Sequence, residues 1–290
     1  MRKILVLMVV AIGFIIGSTM AASAKAYDVV LLHGLTNKHQ WSDAFLDKIA
    51  YNFGSGNVYV IYTNESTRVW TRTINGRVIY FCGENDFSAG DEYIQDQAYL
   101  MHQKILKLTS SYGLSSQFYV IAHSMGGLVS RYYAFYYKNN GVSRLRGLVT
   151  LGTPHHGSSL AVAADFMFLD WFIGAQEAME HLKPAWVNGT FNTSWCPIYS
   201  TPLNGATVKQ IVGDADGYDC WGWGGELAAG WPILCAWEGD NDGLVSHQSA
   251  RLDGVDNHNN SADIQFFWSY DHMEIVQKAD VAQKAASWLP

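Results

Sequence analysis

The chain has 290 residues, a formal charge of −7 and 49% apolar side chains. That size and balance describe a globular protein able to bury one full core without staples. A disordered or fibrous chain is excluded. The acidic balance, with no Lys/Arg-rich block, argues against nucleic acid as a partner.

The first 26 residues read as a secretory signal. Arg2 and Lys3 form a basic start, Ile4 to Ile16 a short apolar run, and Ala24-Lys25-Ala26 a small-x-small cleavage site. The apolar run is short for a membrane span. The expected organisation is a signal peptide over 1–26 and one domain over 27–290. The exported chain is expected outside the cytoplasm, secreted or periplasmic, with no stable transmembrane span. An exported chain sits where disulfides persist. Cys82, Cys196, Cys220 and Cys235 allow three pairings, of which the local Cys220–Cys235 is favoured. Their spacings fit no common zinc site.

Val29 to Leu32 is a branched apolar run ended by Gly34 and predicts a buried parallel strand. A helix with Ser42 as its cap follows, then a strand over 57–63. A hairpin around Asn75-Gly76 is expected within residues 64–90. Residues 91–113 are the clearest helix, with Ile94, Ala98, Met101, Ile105 and Leu108 at helical spacing. "QFYVIA" predicts a strand running into Ser124, and a helix follows to about Lys138. "RLRGLVTLG", "ATVKQIVG" and "DIQFFWS" predict further strands, and Glu274 to Trp288 a closing helix. This alternation predicts an α/β fold with a mostly parallel sheet covered on both faces. The apolar stretch within 158–200 interrupts it. Pattern alone leaves that stretch open between an extra core helix and a lid over a pocket.

Ser124 stands where a strand meets a helix, with Ala122 two residues before and Gly126 two after. A strained turn there lifts the hydroxyl above the sheet, as in the nucleophile elbow. A helix-capping serine is the ordinary alternative. A serine nucleophile needs a base, and the base an orienting carboxylate, following in the order Ser, Asp, His. "GDNDGLVSHQSA" offers Asp242, with Asp240 as the alternative. "FFWSYDHMEIVQ" offers His272 at a strand end, preferred over His258 in a polar loop. Gly34 allows a backbone amide to turn into the site, and the amide of Met125 would be the second oxyanion donor.

The segments "LLHGL", "VIAHSMGGLVSRYY", "VTLGTPHHGS", "GDNDGLVSHQSA" and "DHMEIV" together resemble the secreted bacterial lipases of the α/β-hydrolase superfamily, particularly the Pseudomonas-type triacylglycerol lipases. The resemblance implies an α/β-hydrolase fold and hydrolysis of lipid esters such as acylglycerols, at a lipid–water interface in some members. It assigns Ser124, Asp242 and His272 to catalysis and Leu35 and Met125 to the oxyanion hole. It turns the 158–200 insertion towards a helical lid. Acyltransferases, thioesterases and polyester hydrolases share the triad, and a non-catalytic binding protein on this fold is the remaining alternative. Two outer strands that precede "VVLL" in the full fold are expected to be missing. No cofactor is required for the chemistry. The family's structural calcium is left open, because Glu274 stands where an Asp is usual and the partner acid is undecided among Asp214, Asp216 and Asp219. The Trp-rich stretch Cys220 to Trp237 is read as core or as an acyl-pocket wall.

Overall fold

The computed structural model describes residues 25–36, 41–139, 142–167, 175–198, 207–218 and 226–290. The signal-peptide expectation falls almost wholly outside them. Asp28–Leu32 forms β1, buried from Val29 onward because both of its faces are covered. Asp43–Phe53 is α1. Ser42 caps it by accepting a hydrogen bond from the Phe45 amide, satisfying one of the helix's free N–H groups. Val58–Ile61 is β2. Val69–Ile74 (β3) and Arg77–Cys82 (β4) pair antiparallel about Asn75 and Gly76, both at positive φ, as a tight hairpin requires.

Helix α2, Ile94–Ser111, buries Ile94, Ala98, Met101, Ile105 and Leu108. Phe118–His123 is β5, buried throughout, and Gly126–Tyr136 is α3. Lys138–Asn139 (β6) and Val142–Ser143 (β7) make a small separate pair. Leu145–Leu151 is β8. The insertion carries α4 (Ser159–Met167), α5 (Gln176–Glu180), α6 (Pro184–Trp186) and a π-helical stretch, Val187–Trp195. Thr207–Gly213 is β9, Glu226–Trp237 α7, His247–Ala250 α8 and Ile264–Phe267 β10. The closing helix is shorter than the sequence suggests. A 3₁₀ turn over Glu274–Val276 precedes α9, Ala279–Ser287, because Asp271 accepts from the Met273 and Glu274 amides and starts its own short turn.

The sheet order is β10-β9-β8-β5-β1-β2-β4-β3, parallel except for β3. Helices cover both faces, as expected of the α/β-hydrolase fold. Among the described residues no strand precedes Asp28, and the hairpin occupies the edge beyond β2. Apolar clusters pack against both faces of the sheet. One gathers α2 and α3, the other α1 and α9. Lys25, which cleavage after Ala26 would remove, donates from Nζ to the Ala286 and Leu289 carbonyls at the end of α9.

Cys82 and Cys196 are buried thiols and Cys235 is exposed. No disulfide joins these three, and Cys220 lies outside the described residues. Among the described residues no helix is long and apolar enough to cross a membrane.

Candidate active site

Strand β5 ends directly at Ser124, whose φ of 52° places an L-residue in the left-handed region. That conformation is costly and persists only where neighbours enforce it. Here the Ser124 amide donates to the Leu151 carbonyl at the end of β8 (2.8 Å), and its own carbonyl accepts from Gly127 as α3 begins (3.0 Å). Close approach is built in on both sides. A Cβ on Gly34 would lie 2.5 Å from Ser124 Cβ, and one on Gly126 would collide with the His33 carbonyl. The capping reading fails, since α3 has no side-chain cap.

The structure brings Asp242 and His272 together. His272 Nδ1–H donates to Asp242 Oδ2 at 2.7 Å, with both side chains buried. The other carboxylate oxygen accepts from the Leu244 and Val245 amides (3.1 and 2.8 Å), and the His272 amide donates to the Asp242 carbonyl (2.8 Å). The turn after β8 makes room for the pair. A Cβ on Gly152 would come within 2.8 Å of Asp242 Oδ2 and 3.0 Å of His272 Nδ1. Gly152 follows Leu151, whose carbonyl holds Ser124, so the serine and the Asp–His pair share one sheet end. With Nδ1 engaged, His272 keeps Nε2 on the opposite edge of its ring.

Two buried histidines escaped the sequence reading. His33 Nε2 accepts from the Thr63 amide (2.9 Å), so Nδ1 carries the proton and donates to the Gly34 carbonyl (2.6 Å). Burial lowers its pKa to about 4, so the ring stays neutral. In a trans peptide the N–H points opposite to the C=O. Fixing the Gly34 carbonyl therefore fixes the direction of the Leu35 amide. His123 Nε2–H donates to the His272 carbonyl (2.9 Å), and its ring lies 4.5 Å from the His272 ring. Burial, then the neighbouring His272, hold its pKa well below the ordinary value. "LLHGL" and "AHSMG" contained both residues. Only the tertiary pairing shows what they do.

Ser124 and Leu35 open onto a small cleft. Its walls are mostly apolar and include Leu160, Ala161, Met179 and Leu182 from the insertion. Met125 begins the turn into α3 with its side chain buried. The far part of the insertion is anchored. Buried Arg131 of α3 donates to Asn192 Oδ1 (3.0 Å) and the Cys196 carbonyl (2.8 Å). No tryptophan of the Trp-rich stretch lines this cleft among the described residues. Trp231 instead packs under the loop after β9, donating to the Ala215 carbonyl (2.5 Å).

The residues weighed for calcium are separately engaged. Glu274 pairs with Lys278 (2.6 Å), Asp216 accepts from the Tyr218 amide (2.9 Å), and Asp214 lies against His247. Asp219 is outside the described residues.

Asp271, next to His272, is fully buried, and its Oδ2 has no hydrogen-bond partner among the described residues. Desolvation pushes its pKa up to about 6. A carboxyl whose pKa is higher folded than unfolded takes up protons on folding, so stability rises as pH falls through 6 towards 4. Asp271→Asn keeps the acceptor for the Met273 and Glu274 amides and removes the charge. It is expected to stabilise the fold at pH 8 by up to about 3 kcal/mol and by much less at pH 4.5. Urea unfolding at the two pH values checks this, and an equal gain at both would refute it.

A family model described as PGAP1-like alpha/beta domain matches residues 29–182. A comparison with curated proteins finds no match. Among solved structures, the mature lipase BlEst2 of Bacillus licheniformis is similar with a TM-score of 0.61 at 23% identity, over 89% of each chain. The metagenomic carboxyl esterase MGS0156 gives 0.59 at 15% identity, over 93% of this chain and 75% of that one. Phospholipase PlaB of Legionella pneumophila gives 0.52 at 16% identity, over 78% of this chain and 45% of that one. At such identities the likeness shows the fold. The comparisons support the α/β-hydrolase superfamily and not the Pseudomonas-type lipase family that the motifs suggested.

Proposed function

The chain belongs to the PGAP1-like alpha/beta domain family, and from that premise and the site we propose a carboxylic-ester hydrolase working through a serine acyl-enzyme. The observation that carries this reading is the buried Asp242–His272 pair at the sheet end where Ser124 is held in a strained turn. His272 Nε2 takes the Ser124 hydroxyl proton as Oγ attacks the ester carbonyl carbon. Asp242 holds the tautomer and stabilises the imidazolium. The amides of Leu35 and Met125 receive the oxyanion. The carbonyl re-forms, the C–O bond to the alcohol breaks, and the imidazolium gives that alcohol its proton. Water, deprotonated by His272, then attacks the acyl-enzyme. The acid leaves and Ser124 regains its proton.

The apolar cleft suits an acyl chain, which favours lipid esters such as acylglycerols as substrates. In this reading α4 and α5 act as a lid. Helix α7 packs beside α4 and ends at Trp237, 58% exposed, a side chain suited to contact with lipid. Export by an N-terminal signal belongs to the same proposal. Cleavage after Ala24, where Ala22-Ser23-Ala24 also has small residues in the required places, would retain the Lys25 contacts with α9.

The test is hydrolysis of p-nitrophenyl esters from short to long acyl chains, with Ser124→Ala as control. Turnover in the native protein alone, with fluorophosphonate labelling at Ser124, is expected. Equal turnover in both proteins would remove the enzyme reading.

A further inference from the structure

The two residues set aside in the sequence as alternative acid and base meet each other. His258 Nε2 lies 3.2 Å from Asp240 Oδ2, at the surface beyond the Asp242 turn. His247 completes a triangle with them. One ligand atom from each of the three lies within 4.8 Å of the other two.

His247 is the informative member. It is 1% exposed, and neither ring nitrogen has a hydrogen-bond partner among the described residues. Its Nε2 sits 3.1 Å from Asp214 Oδ1, but without the alignment of a hydrogen bond. Buried polar groups are ordinarily satisfied, and one that is not calls for an explanation. A cation is the partner this environment lacks.

We propose that Asp240, His247 and His258 bind a divalent transition-metal ion of the zinc class. Two imidazole nitrogens and a carboxylate oxygen suit such an ion. Calcium and magnesium prefer oxygen donors alone. Bonds of about 2.0–2.1 Å place two tetrahedral ligands roughly 3.3 Å apart, close to the separation of His258 from Asp240. The rings of Phe266 and Trp268, stacked at 5.2 Å, form an apolar wall against both histidines.

The role is structural. The Asp240 carbonyl already accepts from the His247 amide (2.9 Å), closing the loop that contains Asp242. An ion there ties this loop to His258, whose segment leads through β10 to His272. The site lies apart from the Ser124 cleft, takes no part in ester chemistry, and stands whether or not the hydrolase reading holds.

The experiment uses the full chain, stripped with a chelator and then titrated with Zn²⁺ by calorimetry and with Co²⁺ by visible absorption. One ion per chain, a higher Tm with Zn²⁺ and no such rise with Ca²⁺ are expected. His258→Ala and Asp240→Asn change exposed side chains and are expected to keep the metal-free Tm. Each should lose at least tenfold in Zn²⁺ affinity, along with the gain in Tm. An unchanged Tm in the native chain on adding Zn²⁺, or native affinity in His258→Ala, would overturn the proposal.

Discussion

Replacing Ser124 with alanine is expected to lower kcat on a cleaved ester by on the order of 10⁵- to 10⁶-fold, with the fold unchanged. Alanine keeps the Cβ, so it keeps both the crowding against Gly34 and the cost of the positive φ. Glycine at the same position behaves differently. It adopts φ near 52° without steric penalty, so Ser124→Gly is expected to abolish turnover and raise stability by about 1 kcal/mol. That is the relief of left-handed strain less the extra chain entropy of glycine. Activity assays with denaturant unfolding separate the two effects. A glycine variant no more stable than alanine would show that Ser124 is not strained, and the elbow reading would lose its physical basis.

What was legible in the sequence was what neighbouring residues decide. The run Val29–Leu32 had to be a strand buried on both faces. Asn75-Gly76 had to turn. Ser42 had to cap. The small residues around Ser124 followed from the sharpness of one bend, and the contact of Gly126 with the His33 carbonyl supplies the reason for the second of them. What was not legible depends on which distant segments meet. Nothing local tells β4 to pair in parallel with β2 and place its hairpin at the sheet edge. A run of helix formers from Glu274 hid the break near Gln277, because the Asp271 side chain competes for the first amides. His33, His123 and Arg131 carry no local signal of what they do. Each is buried against a partner 30 or more positions away: Thr63, the His272 carbonyl and Asn192. Asp240 and His258 were weighed only against Asp242 and His272. Their own pairing depends on how two loops fold over Phe266.

In the proposed mechanism these pairings are braces around one moving event, the proton shuttle of His272. His123 holds the His272 carbonyl and His33 the Gly34 carbonyl, each as a neutral ring whose burial opposes protonation. Their direction of hydrogen bonding therefore does not change over the pH range in which a free histidine titrates. Asp242 is the acidic member of this set.

Asp242→Asn is accordingly expected to cost about 10⁴-fold in kcat while leaving the fold in place. The carboxylate accepts three hydrogen bonds, from the Leu244 and Val245 amides on Oδ1 and from His272 Nδ1 on Oδ2. An asparagine can keep its carbonyl oxygen towards the two amides, which leaves its NH₂ facing His272. An NH₂ group cannot accept the Nδ1 proton. The imidazole must then hold its proton on Nε2, the nitrogen that should receive the Ser124 proton, and the base is blocked. Binding in the apolar cleft is untouched, so KM is expected to stay near its native value. The neighbouring Asp240→Asn changes a carboxylate that does not reach His272 and is expected to retain most of the turnover. Steady-state kinetics of the two variants on one short-chain ester decide the matter. A large loss in Asp240→Asn with Asp242→Asn near native would move the acid to Asp240 and undo this assignment of the triad.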